Sequence, residues 1–244
     1  MTPRTPHTLT EAFQTVLCIA AHPDDIEFTV AGTVARWTRE GRAVTFCLVT
    51  TGGVGTNEHT PSNEGLVPIR ERELKAAADI LGVRDVILLG YADGVVEPTL
   101  GLRRDLTRVI RRVKPDVVVC SDPTVRYYGN EYMNHPDHRA VGSAALDAVF
   151  PSAETVGIFP ELLTEGLAPH KVKEVFIHGA ETPDTWVDIT DTLDIKCAAL
   201  KAHASQVGPG AWVETLLREW GTREGKRVGV SYAEAYRRMI LWRA

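Results

Sequence analysis

Cysteine is scarce in this chain. There are four residues, Cys18, Cys47, Cys120 and Cys197, and no C-x-x-C spacing. That excludes a cysteine-built zinc site and a dithiol redox pair. The first three lie in apolar, β-branched stretches, where a free thiol behaves as a small hydrophobe. Long apolar runs are missing too: none approaches the roughly 18 to 20 residues that a membrane-crossing helix needs. Residues 1–10 are rich in Thr and Pro and lack the apolar core of a secretory leader, so a cytoplasmic location and no membrane partner are expected. Positive charge is not in excess. Lys and Arg number 27 against 32 Asp and Glu, a net charge of -5 that argues against a nucleic-acid partner. The glycine-rich stretch Thr51-Gly52-Gly53-Val54-Gly55-Thr56 lacks the Lys-Ser/Thr of a phosphate-binding P-loop. With the polar segment running on to Val67, it reads as a long active-site loop.

The remaining composition, 44% hydrophobic and 24% charged over 244 residues, allows a sizeable core. No repeat or linker divides the chain, and one domain over residues 1–244 is expected. β-prone runs at 15–20, 43–50, 85–89, 116–120, 174–177 and 186–189 alternate with segments of helical spacing. Helices are expected over 28–39, 68–81, 100–113, 192–203, 211–220 and 233–240, with another from His135 through Val149. This alternation predicts an α/β fold: a Rossmann-like open, mostly parallel sheet flanked by helices. Its active site should lie at the carboxyl ends of the strands.

Two polar clusters sit at those ends. After the first strand comes Ala21-His22-Pro23-Asp24-Asp25-Ile26-Glu27, with His22 and Asp25 spaced to point one way. After the fourth comes His135-Pro136-Asp137-His138, again at the mouth of a helix. Helix capping explains aspartates at such positions but gives no reason for three histidines. Together the clusters offer nitrogen and oxygen ligands for a divalent metal, with a carboxylate and an imidazole to spare. The chemistry implied is metal-assisted hydrolysis.

Two further residues stand out. Arg70 lies in the first turn of its helix, where a cation opposes the macrodipole. Either it grips a substrate oxygen or it pairs on the surface with Glu71 or Glu73. Asp93 sits in Tyr91-Ala92-Asp93-Gly94, a turn at another strand end. In the loop 121–134 the cluster Tyr127-Tyr128-Gly129-Asn130-Glu131-Tyr132-Met133 either stacks on sugar rings or packs the loop to the body.

These motifs resemble those of the LmbE-like (PIG-L) deacetylases, and within them the diacetylchitobiose deacetylases through Tyr91-Ala92-Asp93 and Val187-Asp188-Ile189-Thr190. The likeness runs from about Val16 to Met239 and takes in Lys196, His203, Gln206 and Tyr232 to Arg237. It implies an enzyme that removes the N-acetyl group from an N-acetylglucosamine-type sugar, using one zinc per chain. His22, Asp25 and His138 would be its ligands and Asp24 the general base. His135 would stabilise the oxyanion, with Asp137 orienting it, and Arg70 and Asp93 would bind substrate. His203 and Gln206 read as structural. The partner implied is a small N-acetyl amino sugar or conjugate, in a monomer or a homo-oligomer. The chain ends soon after Met239, so a tail completing a neighbour's site is not expected. Three other readings fit the residues: an amidase of a sugar-thiol conjugate, a non-haem iron enzyme built on two His and one carboxylate, and a non-catalytic sugar-binding domain.

Overall fold

A computed structural model describes residues 13–56 and 65–241. The opening stretch 1–10 and residues 57–64 of the expected active-site loop lie outside these. The first strand, β1 (Thr15–Ala20), pairs in parallel with β2 (Ala43–Thr50) and with β4 (Val117–Ser121). It is apolar on both faces because both are covered. Val16, Cys18 and Ala20 join one core layer, whereas Leu17 and Ile19 join the other. With β3 (Asp85–Tyr91), β7 (Glu174–His178), β8 (Thr185–Asp188) and β9 (Ala233–Ile240) the sheet runs β3-β2-β1-β4-β7-β9-β8. The strand order reverses between β1 and β4, the crevice where ligands bind in open α/β sheets.

On one face lie α1 (Asp25–Thr29), α2 (Ala31–Arg39), α3 (Val67–Leu81), α7 (Leu193–Lys201) and α9 (Ala211–Gly225). On the other lie α4 (Leu100–Val113) and α5 (Pro136–Asp147). An irregular π-type turn over Ala148–Ala153 and the short α6 (Glu161–Thr164) follow α5 in the chain. Helix α5 comes close against β4. A Cβ on Gly142 would lie 2.5 Å from the Ser121 carbonyl oxygen, so only glycine fits there. No helix of the described residues is long and apolar enough to cross a membrane.

The architecture is the expected one, with local differences. The helix expected over 28–39 starts earlier, at Asp25, and breaks at Val30 into α1 and α2. The one expected over 192–203 stops at Lys201 and resumes as the short α8 (Ala204–Val207). The loop 121–134 contains a small hairpin, β5 (Tyr127–Tyr128) against β6 (Tyr132–Met133).

The largest correction concerns 233–240, which is strand β9 and not a helix. Ala, Glu, Arg and Met favour helix locally, but this segment fills the gap between β7 and β8, antiparallel to both. Sheet hydrogen bonds and burial of Tyr236 outweigh propensity. Glu234 also locks the strand to the helix layer. Its carboxylate accepts from the backbone N–H groups of Gly32 and Thr33 at 3.0 and 2.8 Å and from Lys196 Nζ at 2.5 Å. Both partners of this ion pair are buried. Glu234→Ala would leave a buried ammonium without its carboxylate, and the cost is expected to be about 3–5 kcal/mol. Urea unfolding measures it, and a loss below about 1 kcal/mol would show that the pair does not hold the strand.

Candidate active site

The chain leaves β1 at Ala20 and turns at once into α1. Asp25 closes that turn on itself, its Oδ2 accepting from Ala21 N at 3.1 Å and His22 N at 2.8 Å. Oδ1 is left facing His138, which enters on the first turn of α5 beyond β4. His22 Nδ1 and His138 Nε2 are 3.2 Å apart. Asp25 Oδ2 lies 3.3 Å from the first and Asp25 Oδ1 3.0 Å from the second. A tetrahedral metal with bonds of about 2.0–2.1 Å separates its ligands by about 3.3 Å. The two imidazole nitrogens are spaced as one edge of such a tetrahedron, and Asp25 presents a different carboxylate oxygen to each of them.

Two other groups of three donors converge beside this one. A ring nitrogen of His135 lies within 4.8 Å of those of His22 and His138, and His22, Asp93 and Asp137 meet within the same limit. Some of their atoms have other engagements. His135 Nδ1 accepts from Asp137 N at 3.2 Å. The Asp137 carboxylate accepts from Gly94 N at 2.8 Å and Val96 N at 3.1 Å.

The far sides of the two imidazoles are also held. His22 Nε2 is 3.0 Å from Asp93 Oδ1, while Asp93 Oδ2 accepts from Val54 N at 2.9 Å. His138 Nδ1 is 3.2 Å from Asn134 Oδ1, and Asn134 Nδ2 donates to Val125 O at 2.8 Å. These partners set which ring nitrogen faces inward. Asp93, expected at a sugar hydroxyl, is thus turned toward His22. Asn134 was not singled out by sequence, although its place directly before His135 was the available signal. Asp137, expected to orient His135, lies 3.9 Å from His135 Nδ1, beyond hydrogen-bond reach. It ties the loop carrying Asp93 to α5 instead.

Electrostatics favour a cation here. Burial opposes charge on His22, yet the Asp25 carboxylate and hydrogen bonds to Asp25 and Asp93 outweigh it and push the ring up to about 10. Burial also opposes charge on Asp25, and His138 and His22 hold its carboxyl well below the usual range nonetheless. The surroundings draw positive charge to this point, which a divalent cation satisfies. His135 is lowered, first by burial and then by the charges of His22 and His138. At the end of β7, His178 is pushed down to about 4, chiefly by burial, and is a neutral neighbour unforeseen from sequence.

Asp24 stands apart from the donors. It occupies the N-cap position of α1 with ψ of -7°, without the side-chain bond to the helix that an aspartate there ordinarily makes. Its Oδ1 accepts instead from Arg70 Nη2 at 2.8 Å. A cap bond is worth about 1 kcal/mol and a hydrogen bond to a charged partner about 1.5–3, so the arginine prevails. Arg70 is 2% exposed and pairs with neither Glu71 nor Glu73. Glu73 accepts from Ser205 N and Oγ. The hairpin residues differ from one another: Tyr127, Tyr132 and Met133 are well exposed, while the Tyr128 hydroxyl donates to Gly179 O at 3.1 Å.

Competition titration with a zinc-binding dye tests the donor set. His22→Ala, Asp25→Ala and His138→Ala are each expected to lose most zinc binding. Asp93→Ala and Asn134→Ala should weaken it about 10- to 100-fold, the usual effect of removing a group that orients a ligand. Unchanged affinity in any of the first three would exclude that residue as a ligand.

Residues 17–149 match the PIG-L family, described as GlcNAc-PI de-N-acetylase. A diacetylchitobiose deacetylase of Thermococcus kodakarensis is 34% identical over 224 residues, covering 91% of this chain and 82% of that protein. A Bacillus anthracis protein named a probable N-acetyl-alpha-D-glucosaminyl L-malate deacetylase 2 is 32% identical, over 84% of this chain and 86% of its own length. The crystallised N,N'-diacetylchitobiose deacetylase of Pyrococcus horikoshii, complexed with its inhibitor MPG, superposes with a TM-score of 0.86 at 31% identity. That match covers 93% of this chain and 84% of the other. The chain belongs to the PIG-L family of de-N-acetylases.

Proposed function

We propose that this protein is a zinc-dependent N-deacetylase that releases acetate from an N-acetylglucosamine-type sugar or a conjugate of one, with one zinc per chain. The observation that carries the reading is the approach of His22 Nδ1 and His138 Nε2 to 3.2 Å, with the two oxygens of Asp25 at 3.3 and 3.0 Å from them, beside a carboxylate that is not one of these groups. The relatives named above act on acetylated amino sugars, which supports the substrate class.

A zinc ion held by these three residues would polarise the acetamide carbonyl and acidify a water molecule. The remaining work falls to the chain's own groups. Asp24 Oδ1 is engaged by Arg70, and Oδ2 takes no hydrogen bond from the described residues, so Oδ2 is free to accept a proton. Asp24 takes that proton from the attacking water and hands it to the departing amine nitrogen. His135 Nδ1 accepts from Asp137 N, so the neutral ring carries its proton on Nε2. Its side chain is 39% exposed at the mouth of the site. From there Nε2–H donates to the acetamide oxygen as negative charge builds on it. Asp93 and Asn134 keep the two ligand rings in orientation.

The test is acetate release from N-acetyl amino sugars by the purified, zinc-loaded protein and by Asp24→Asn. The parent is expected to release acetate and free amine in equal amounts, and to lose activity on chelation. The variant should keep its zinc, because the amide is nearly isosteric and the residue is not a ligand. Its turnover should fall by about 10²-fold or more, the usual contribution of a general base. Near-normal turnover, or zinc loss as complete as in Asp25→Ala, would remove Asp24 from that role.

A further inference from the structure

We infer that Arg70 is a positioning residue for Asp24, and that positions 52 and 55 are glycine because they house its guanidinium. The inference depends on the deacetylase reading for what Asp24 does, and not for how Asp24 is held.

An aspartate at a helix N-cap ordinarily swings its carboxylate back to a helix N–H group. Asp24 makes no such bond. The planar fork of Arg70 holds it instead, tied at two points: Nη2 donates to Asp24 Oδ1 at 2.8 Å and Nη1 to Gly52 O at 2.9 Å. The guanidinium thus bridges the loop after β2 and the turn after β1. A single ammonium lacks the two coplanar nitrogens that meet these two acceptors here. The resemblance puts this arginine on substrate, yet its surface is almost wholly covered by the protein itself.

The cover is made of glycines. A Cβ on Gly52 would lie 2.1 Å from Arg70 Nη1 and 2.4 Å from Cζ, and the φ of +67° at Gly52 also disfavours any side chain. A Cβ on Gly55 would lie 2.8 Å from the same Nη1 and 2.9 Å from Gln206 Oε1. The stretch that in sequence resembles a phosphate cradle is a cradle for an arginine. A cation in the first turn of α3, opposed by the helix dipole, is offset by the Asp24 carboxylate and the Gly52 carbonyl.

The test uses full-length, zinc-loaded Arg70→Ala and Gly52→Ala. Each is assayed on an N-acetyl amino sugar and on a small acetamide that lacks a sugar, with and without millimolar guanidinium chloride. A crystal structure of Arg70→Ala reports where the Asp24 side chain goes, and Arg70→Gln replaces it if the alanine variant does not fold. Zinc content should be unchanged. Turnover should fall on both amides by about 10²-fold, the cost of misplacing a reacting group by about 1 Å, with KM for the sugar little altered. Added guanidinium should restore part of the loss in Arg70→Ala only, and the Asp24 carboxylate should be displaced in the crystal. A raised KM for the sugar with full turnover of the small acetamide would overturn the inference and make Arg70 a substrate contact. So would an Asp24 carboxylate that stays in place. If the parent hydrolyses neither amide, the deacetylase reading fails, while the position of Asp24 in the variant crystal still decides this one.

Discussion

The site depends on the parallel pairing of β1 with β4. Val16, Leu17 and Cys18 lie against Val117, Val118 and Val119, so the two strands end side by side. Beyond each strand, a histidine-bearing segment leads into a helix. The pairing brings imidazoles 116 residues apart in the chain to 3.2 Å. Because strand order reverses here, no strand closes over the crevice between them. The apolar layers on both faces of β1 fix the register that makes this meeting possible, since a slip of one residue would turn each side chain to the other face.

Around that meeting point nearly every charge has a named partner. Asp25 is satisfied by two backbone amides, Asp137 by two more, Asp93 by His22 and Val54 N, and Asp24 by Arg70. Buried charges without such partners cost several kcal/mol each, so the arrangement keeps the site rigid without an unfolding penalty. Arg70 Nε is buried without a hydrogen-bond partner, and one further pair departs from this pattern. Glu27 and His203 are both fully buried, lie 3.5 Å apart and have no hydrogen bond. Glu27 is raised, chiefly by burial. Oxygen chemistry at an iron centre would have no use for the proton-accepting role proposed for Asp24.

Much of this was legible in the sequence because short-range chemistry produced it. The β-branched runs ending in His-Pro-Asp-Asp and His-Pro-Asp-His announced both the strands and the polar cluster at their carboxyl ends. What could not be read depended on long-range contact. Strand β9 is made of helix-favouring residues and becomes a strand only because β7 and β8 flank it. The partner of Arg70 is 46 residues away, and nothing local in α3 points to Asp24. Nor could the glycines at 52 and 55 be assigned, since their reason is the volume of a side chain from another element. Asp137 shows both cases: its backbone N–H reaches its sequence neighbour His135, whereas its carboxylate accepts from Gly94 N and Val96 N, more than 40 residues away.

The measurement that bears most directly on the donor set is zinc K-edge absorption spectroscopy of the stoichiometrically loaded protein. Two imidazole nitrogens with oxygen completing the shell are expected, from His22, His138 and Asp25. A shell of three imidazoles would bring His135 in as a ligand and remove it from the oxyanion role, and a shell with a single imidazole would contradict the convergence of the two motifs on one metal.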